Sequence, residues 1–225
     1  MKIKALYTFK GYSEFLKFSN FVDKESWEIE KQLLANRVIK YSKKHYYLML
    51  KNKFYESNLT IWDLKEEEIV TWIDTISLLK RFFVELFKTG INIENIDFIM
   101  EYPLKFGNHT RSDYLIVYDR LIIVLEFGMF NQDEKRREER YTKKLQESMN
   151  YRRILANSLA KELEIVNYVM VYRPEYDSDN KKKMSENIKY NNDEIKNLVS
   201  FVRLKMEQQI SLSAKSQLEA LNDKK

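Results

Sequence analysis

Apolar residues between Lys65 and Lys88 recur at intervals of three and four. Ile69, Trp72, Ile73, Ile76, Leu79, Phe83, Leu86 and Phe87 form one stripe, which predicts an amphipathic helix. Glu66, Glu67 and Glu68 fall in its first turn, where acidic groups favour the positive end of the macrodipole, and Gly90 stops it. A second helical stretch spans Asn131 to Glu164, with Tyr141, Leu145, Met149, Ala156, Leu159 and Leu163 as its buried stripe. A third runs from Ile195 to Leu218 into a polar tail. Between the first two the period changes. Asp97 to Glu101 and Tyr114 to Tyr118 read as strands. Leu121 to Phe127 is almost continuously apolar, as a strand buried on both faces would be. Ile165 to Tyr172 is a further strand. The N-terminal third is mixed: a short edge strand within Lys2 to Phe9, a helix start at Ser13, helical spacing from Trp27 to Tyr41 (Leu33, Leu34, Val38, Ile39), and a loop over Asn58 to Asp63. Pro103 and Gly107 predict a loop, and the polar run Pro174 to Asp193, with Lys181, Lys182 and Lys183, predicts a mobile one.

The order strand, hairpin, long helix, strand implies an α/β (α+β-like) fold. An antiparallel meander is joined to a crossover strand in one mixed sheet flanked by helices. Three segments are expected: an aromatic N-terminal extension over residues 1–64 packed on the core, the core over 65–205, and a helix end and tail over 206–225. A length of 225 residues suffices for one sizeable core, and only four glycines and two prolines fit a helix-rich chain. The absence of cysteine removes disulfides, thiolate metal sites and a cysteine nucleophile, and fits a reducing cytoplasm. No apolar run is long enough for a signal peptide or a membrane span, so no membrane partner is expected. A net charge of +5 is compatible with nucleic acid without pointing to it uniquely.

The candidate chemistry lies around the hairpin. Asp113 opens its first strand and Glu126 stands near the end of its second, so the two carboxylates should meet at one end of the sheet, beside Arg111. Two converging carboxylates suit a hard cation such as Mg²⁺. The bland alternatives are a strand-opening aspartate and a solvated glutamate. An unbroken apolar run into Glu126 argues against solvation. Tyr41, Tyr46 and Tyr47 with Lys43, Lys44 and His45 could stack on bases, but such tyrosines more often cover a core edge. His45 and His109 are isolated; His109 lies near the proposed site. No glycine-rich phosphate loop is present.

Five pieces, in order, resemble the PD-(D/E)XK, or restriction endonuclease-like, nucleases. Within them they look like the nuclease domain found alone or ahead of a helicase in bacteria. The pieces are Glu68-Ile69-Val70-Thr71-Trp72, Glu101-Tyr102-Pro103, Arg111-Ser112-Asp113, Glu126-Phe127-Gly128, and Gln146 with Tyr151. Tyr7 to Phe15 is also similar, and the resemblance covers roughly residues 1 to 205. It implies a restriction endonuclease-like core and Mg²⁺ or Mn²⁺ held by Asp113, Glu126 and the backbone carbonyl of Phe127, with Glu68 in support. It further implies phosphodiester hydrolysis on DNA, with Gln146 positioning water and phosphate. Arg111, Arg136, Arg140 and Lys144 would follow the nucleic-acid backbone. One departure stands out: the family's lysine is Gly128 here. Either another lysine takes its place, with Lys143 the first choice and Lys135 and Lys144 behind it, or the chain is a non-catalytic module. Such a module would bind nucleic acid or a partner such as a helicase or another phage-defence protein. A homodimer would be one way to cut both strands.

Overall fold

A computed structural model describes residues 4–57, 59, 62–104, 111–131 and 133–222. The elements in chain order are β1 (Tyr7–Lys10), α1 (Gly11–Ser19), α2 (Phe21–Lys24), α3 (Leu34–Tyr41), α4 (His45–Glu56), α5 (Glu66–Lys88), a short 3-10 turn (Ile93–Asn95), β2 (Asp97–Pro103), β3 (Arg111–Tyr118), β4 (Leu121–Met129), α6 (Glu134–Ser158), β5 (Glu164–Tyr172), α7 (Lys181–Ser211) and α8 (Ala214–Asn222). The five strands form one sheet in sequence order. The first three pairings are antiparallel and β4 pairs with β5 in parallel. Helix α6 makes the crossover that a parallel pair requires. The expected α/β mixed sheet flanked by helices is therefore present.

Side-chain parity explains why the centre of the sheet reads as unbroken apolar sequence. On β3 and β4, Tyr114, Ile116, Leu121, Ile123, Leu125 and Phe127 face the larger core, shared with α5 and α7. Leu115 and Val124 face the opposite side, where Tyr151 and Leu155 of α6 cover them. Residues two apart share a face, so Asp113 and Glu126 both belong to the α6 side. The larger core runs without a break from Leu6 to Met206. β1, from the expected N-terminal extension, is an edge strand of the same sheet. Gly11 follows it with φ +76°. A Cβ there would lie 2.8 Å from the Glu94 carbonyl oxygen, so only glycine fits the bend.

Several predicted boundaries shift. The first strand begins at Tyr7; residues 1–3 lie outside the described residues, as do Asn58, Thr60, Ile61, Gly107 and His109. Helical structure in Trp27–Tyr41 covers only Leu34–Tyr41, and Leu33 and Ile39 are exposed. The stretch expected to be a mobile loop is helical from Lys181, because the Asn180 side chain caps its start by accepting from the Lys183 backbone N–H at 3.2 Å. On α6 the buried residues are Ser148, Tyr151 and Leu155; Met149 and Leu159 are exposed and the helix ends at Ser158. No helix among the described residues is long and apolar enough to cross a membrane.

Candidate active site

The β3–β4 ladder runs from Tyr118↔Leu121 to Tyr114↔Leu125 and then opens. Beyond that point side chains take over from backbone. The Asp113 N–H donates to Glu126 Oε1 at 3.1 Å, and the Phe127 N–H donates to Asp113 Oδ2 at 2.9 Å. Each carboxylate is thus fixed by the backbone of the neighbouring strand. Helix α6 passes over this face and brings Lys144. Its ammonium lies 2.9 Å from Glu126 Oε2, 3.2 Å from Asp113 Oδ2 and 3.3 Å from Glu147 Oε2. The helix is anchored there. The Tyr151 hydroxyl donates to the Tyr102 carbonyl at 2.7 Å, and Asn167 donates to the buried Ser148 hydroxyl at 3.0 Å.

These contacts separate the two carboxyls electrostatically. Burial would raise Asp113, but the Lys144 ammonium, the Phe127 N–H and the Glu126 carboxyl outweigh it and hold Asp113 below its usual range. Burial, with the charge of Asp113 behind it, pushes Glu126 well above the usual range, and Lys144 offsets this only in part. The Lys144 ammonium resists deprotonation: desolvation opposes its charge, but Asp113 and Glu126 more than compensate. The pair shares one ammonium, with Asp113 the more readily ionised partner.

A second acidic group stands beside the first. Glu101 interrupts β2 with φ +52°, a left-handed conformation that costs a non-glycine residue of order 1–3 kcal/mol. That turn aims its carboxylate at Trp72, whose indole N–H donates to Oε1 at 2.7 Å, and at Arg111 Nε, 2.8 Å from Oε2. Burial pushes Glu101 up to about 8, although Arg111 pulls the other way. Arg111 also reaches Glu68 Oε1 at 2.9 Å and packs 4.2 Å from the centre of the Trp62 ring. Glu68, Glu101, Arg111, Asp113 and Lys144 line one cleft of about 200 Å³ at this end of the sheet.

The structure thus brings together Asp113, Glu126, Phe127 and Glu68, while other expected residues are placed differently. Lys143 is exposed and lies 4.0 Å from Glu147; it is its neighbour Lys144 that meets the carboxylates. The reason is helical phase, because one residue turns a side chain by about 100°. Gln146 is exposed and donates to Asn150 at 3.2 Å. Arg111, expected to touch nucleic acid, lies against Glu68 and Glu101. Arg136 is exposed, 3.8 Å from Asp133, and Arg140 forms part of the cleft wall. Glu101 carried a motif in the sequence but no expected contact. The tyrosines Tyr41, Tyr46 and Tyr47 are buried, which removes them as stacking platforms.

No family model, no curated protein and no solved structure matches this chain. Its functional reading rests on the site itself. Among the described residues no group of three or more His, Asp or Glu side chains is gathered as a metal cage. The cleft offers Asp113 and the residue Phe127, with Glu126 buried directly behind Asp113 and Lys144. That donor set suits Mg²⁺, which keeps several waters and takes one or two carboxylates from the protein.

Proposed function

We propose that this chain is a Mg²⁺-dependent nuclease acting on DNA, with a restriction endonuclease-like core. One observation carries the reading: Asp113 and Glu126, on the same face of adjacent strands, both turn an oxygen to a single cation, the Lys144 ammonium. The pair is therefore already arranged around one positive charge. The donor chemistry fits Mg²⁺ or Mn²⁺, held by Asp113, Glu126 and the Phe127 carbonyl. When bound, the ion supplies Lewis acidity to the phosphoryl group and lowers the pKa of water.

The chain's own residues do the rest. Backbone N–H groups fix both carboxylates, so on ion binding they keep their places and Lys144 is the group that moves. Lys144 takes the part that the family gives to the residue at position 128. Its ammonium stands on a four-carbon stem and can leave the carboxylates without moving α6. In the hydrolytic state it orients water or offsets phosphate charge. Glu68 and Glu101 hold Arg111, which closes one wall of the cleft and joins the start of α5 to the start of β3. Gln146 has no contact with the pair, which argues for a lesser role than the resemblance implied.

A second reading has its own support. With Lys144 in place, the acidic pair is partly neutralised without any metal, as in a catalytically silent module that binds nucleic acid or a partner such as a helicase. Incubation of the chain with single- and double-stranded DNA in Mg²⁺ or Mn²⁺ separates the two. Cutting that disappears in Asp113→Asn supports the nuclease. Metal-independent binding with no cutting by the wild-type chain under any of these conditions supports the silent module.

A further inference from the structure

The place vacated by the family's lysine is filled from above. Gly128 lies on the same face of β4 as Glu126, the face that α6 covers. A Cβ at position 128 would come within 2.9 Å of Arg140 Cγ, 3.3 Å of Arg140 Nε and 3.3 Å of Val171 Cγ1. Non-bonded carbons settle at about 3.5–4.0 Å, so Arg140 crosses the strand there because residue 128 has no side chain. Arg140 Nε is buried without a hydrogen-bond partner. On the same helix Arg136, Arg137, Lys143 and Lys144 each lie beside a carboxylate. Arg140 has no such ion pair among the described residues.

Its position gives that cation a use. Arg140 and Met129 line both the cleft of Asp113 and Lys144 and a second hollow of about 300 Å³, which Arg136 and Lys143 also line. The guanidinium therefore stands where a cleft lined by carboxylates and cations in equal number gives way to a hollow in which Arg136, Arg140 and Lys143 outnumber Glu139. A DNA strand whose scissile phosphate sat at the acidic pair would need a cation at the next phosphate. A planar guanidinium binds phosphate through paired hydrogen bonds.

We propose that Arg140 is a phosphate-binding residue, admitted by Gly128, that guides a DNA strand from the Asp113–Lys144 cleft into the Arg136–Lys143 hollow. The nuclease reading enters only in making the ligand DNA. The replacement of lysine by glycine then exchanges an ammonium on the strand for a guanidinium from the helix.

The test is fluorescence anisotropy with the full chain and labelled single-stranded and duplex DNA, titrated with salt in EDTA so that nothing is cut. Arg140→Gln should weaken binding about tenfold, the loss expected for one charge-assisted hydrogen-bonding contact. It should also flatten the log–log salt slope by about 0.9 on duplex or 0.7 on single strand, one phosphate's share. Arg140→Lys should keep the slope and lose only part of the affinity. Gly128→Ala should imitate Arg140→Gln, and the double variant should bind no worse than Arg140→Gln alone, with circular dichroism confirming a folded chain in each case. Unchanged affinity and slope in Arg140→Gln, additive losses in the double variant, or a wild-type chain that binds neither probe would overturn the proposal. Should the predicted pattern appear while the wild-type chain cuts neither probe in Mn²⁺, the nuclease reading fails and the phosphate site stands.

Discussion

Two ion clusters, one joining α3 to α5 and one between the β3–β4 pair and α6, are built to different ends. Asp74 of α5 is fully enclosed. Arg37 grips it with both terminal nitrogens, at 2.8 and 2.7 Å, and the Trp27 indole N–H adds a third bond at 2.8 Å. One carboxylate meets one guanidinium and neither side chain has any exposed surface. Around Lys144 the proportions are reversed. Asp113, Glu126 and Glu147 converge on one ammonium, and the Asp113 side chain keeps 24% of its surface open to the cleft. A matched, sealed pair joins α3 to α5, with both carboxylate oxygens of Asp74 taken. The open cluster has three carboxyls sharing one ammonium and leaves Asp113 accessible from the cleft. Burial of charge alone would not tell them apart; stoichiometry and access do.

The contrast can be broken most forcefully by removing each cation. Arg37→Met should cost about 3–5 kcal/mol in urea denaturation, since it strands a charge in the interior. Lys144→Met should cost clearly less, because Asp113 keeps 24% of its side-chain surface open to water whereas Asp74 keeps none. Equal losses would mean that both clusters are structural. Next in size is catalysis. Lys144→Met should lower kcat for DNA cleavage by about 10²–10³-fold, the range for loss of one well-placed donor. Lys143→Met should raise KM and spare kcat. A smaller effect is expected from pH. Glu101 titrates near 8 when folded, above the ordinary carboxyl value of 4.5. Between those two values the folded chain holds a proton that the unfolded chain gives up. This part of stability is complete below about pH 4.5 and lost as pH rises through 8. Thermal melts of Glu101→Gln across that window should therefore be flatter than those of the wild-type chain.

Much of the fold was legible because α5 and the strands carry strong periodicity. The site was legible to the extent that hairpin geometry decides it. A strand's start must lie beside its neighbour's end, and this placed Asp113 near Glu126 without any knowledge of the packing. What could not be read from that rule was helical phase. The stripe that buries α6 is Ser148, Tyr151 and Leu155, not Met149 and Leu159. Counting back from Tyr151 by seven reaches Lys144, so the signal existed in a residue already singled out. Glu101 was harder, because nothing in a strand-like DFIME run announces a left-handed residue. The close approach of Gly128 and Arg140 joins separate elements and has no local signature. In Lys181–Asp193 polarity hid a helix, since its buried asparagines, Asn187 and Asn191, do not register as an apolar stripe.

The two-residue link between β3 and β4, Asp119 and Arg120, has a consequence for how the molecule assembles. Chain entropy favours closing so short a loop early, within microseconds, whereas α6 must form and dock before Lys144 arrives. Two like charges are thus zipped together ahead of their counter-ion, and that repulsion weighs on the barrier. Refolding in stopped flow should accordingly speed up in millimolar Mg²⁺ and lose that response in Asp113→Asn, a refolding cost set by the order in which neighbours arrive.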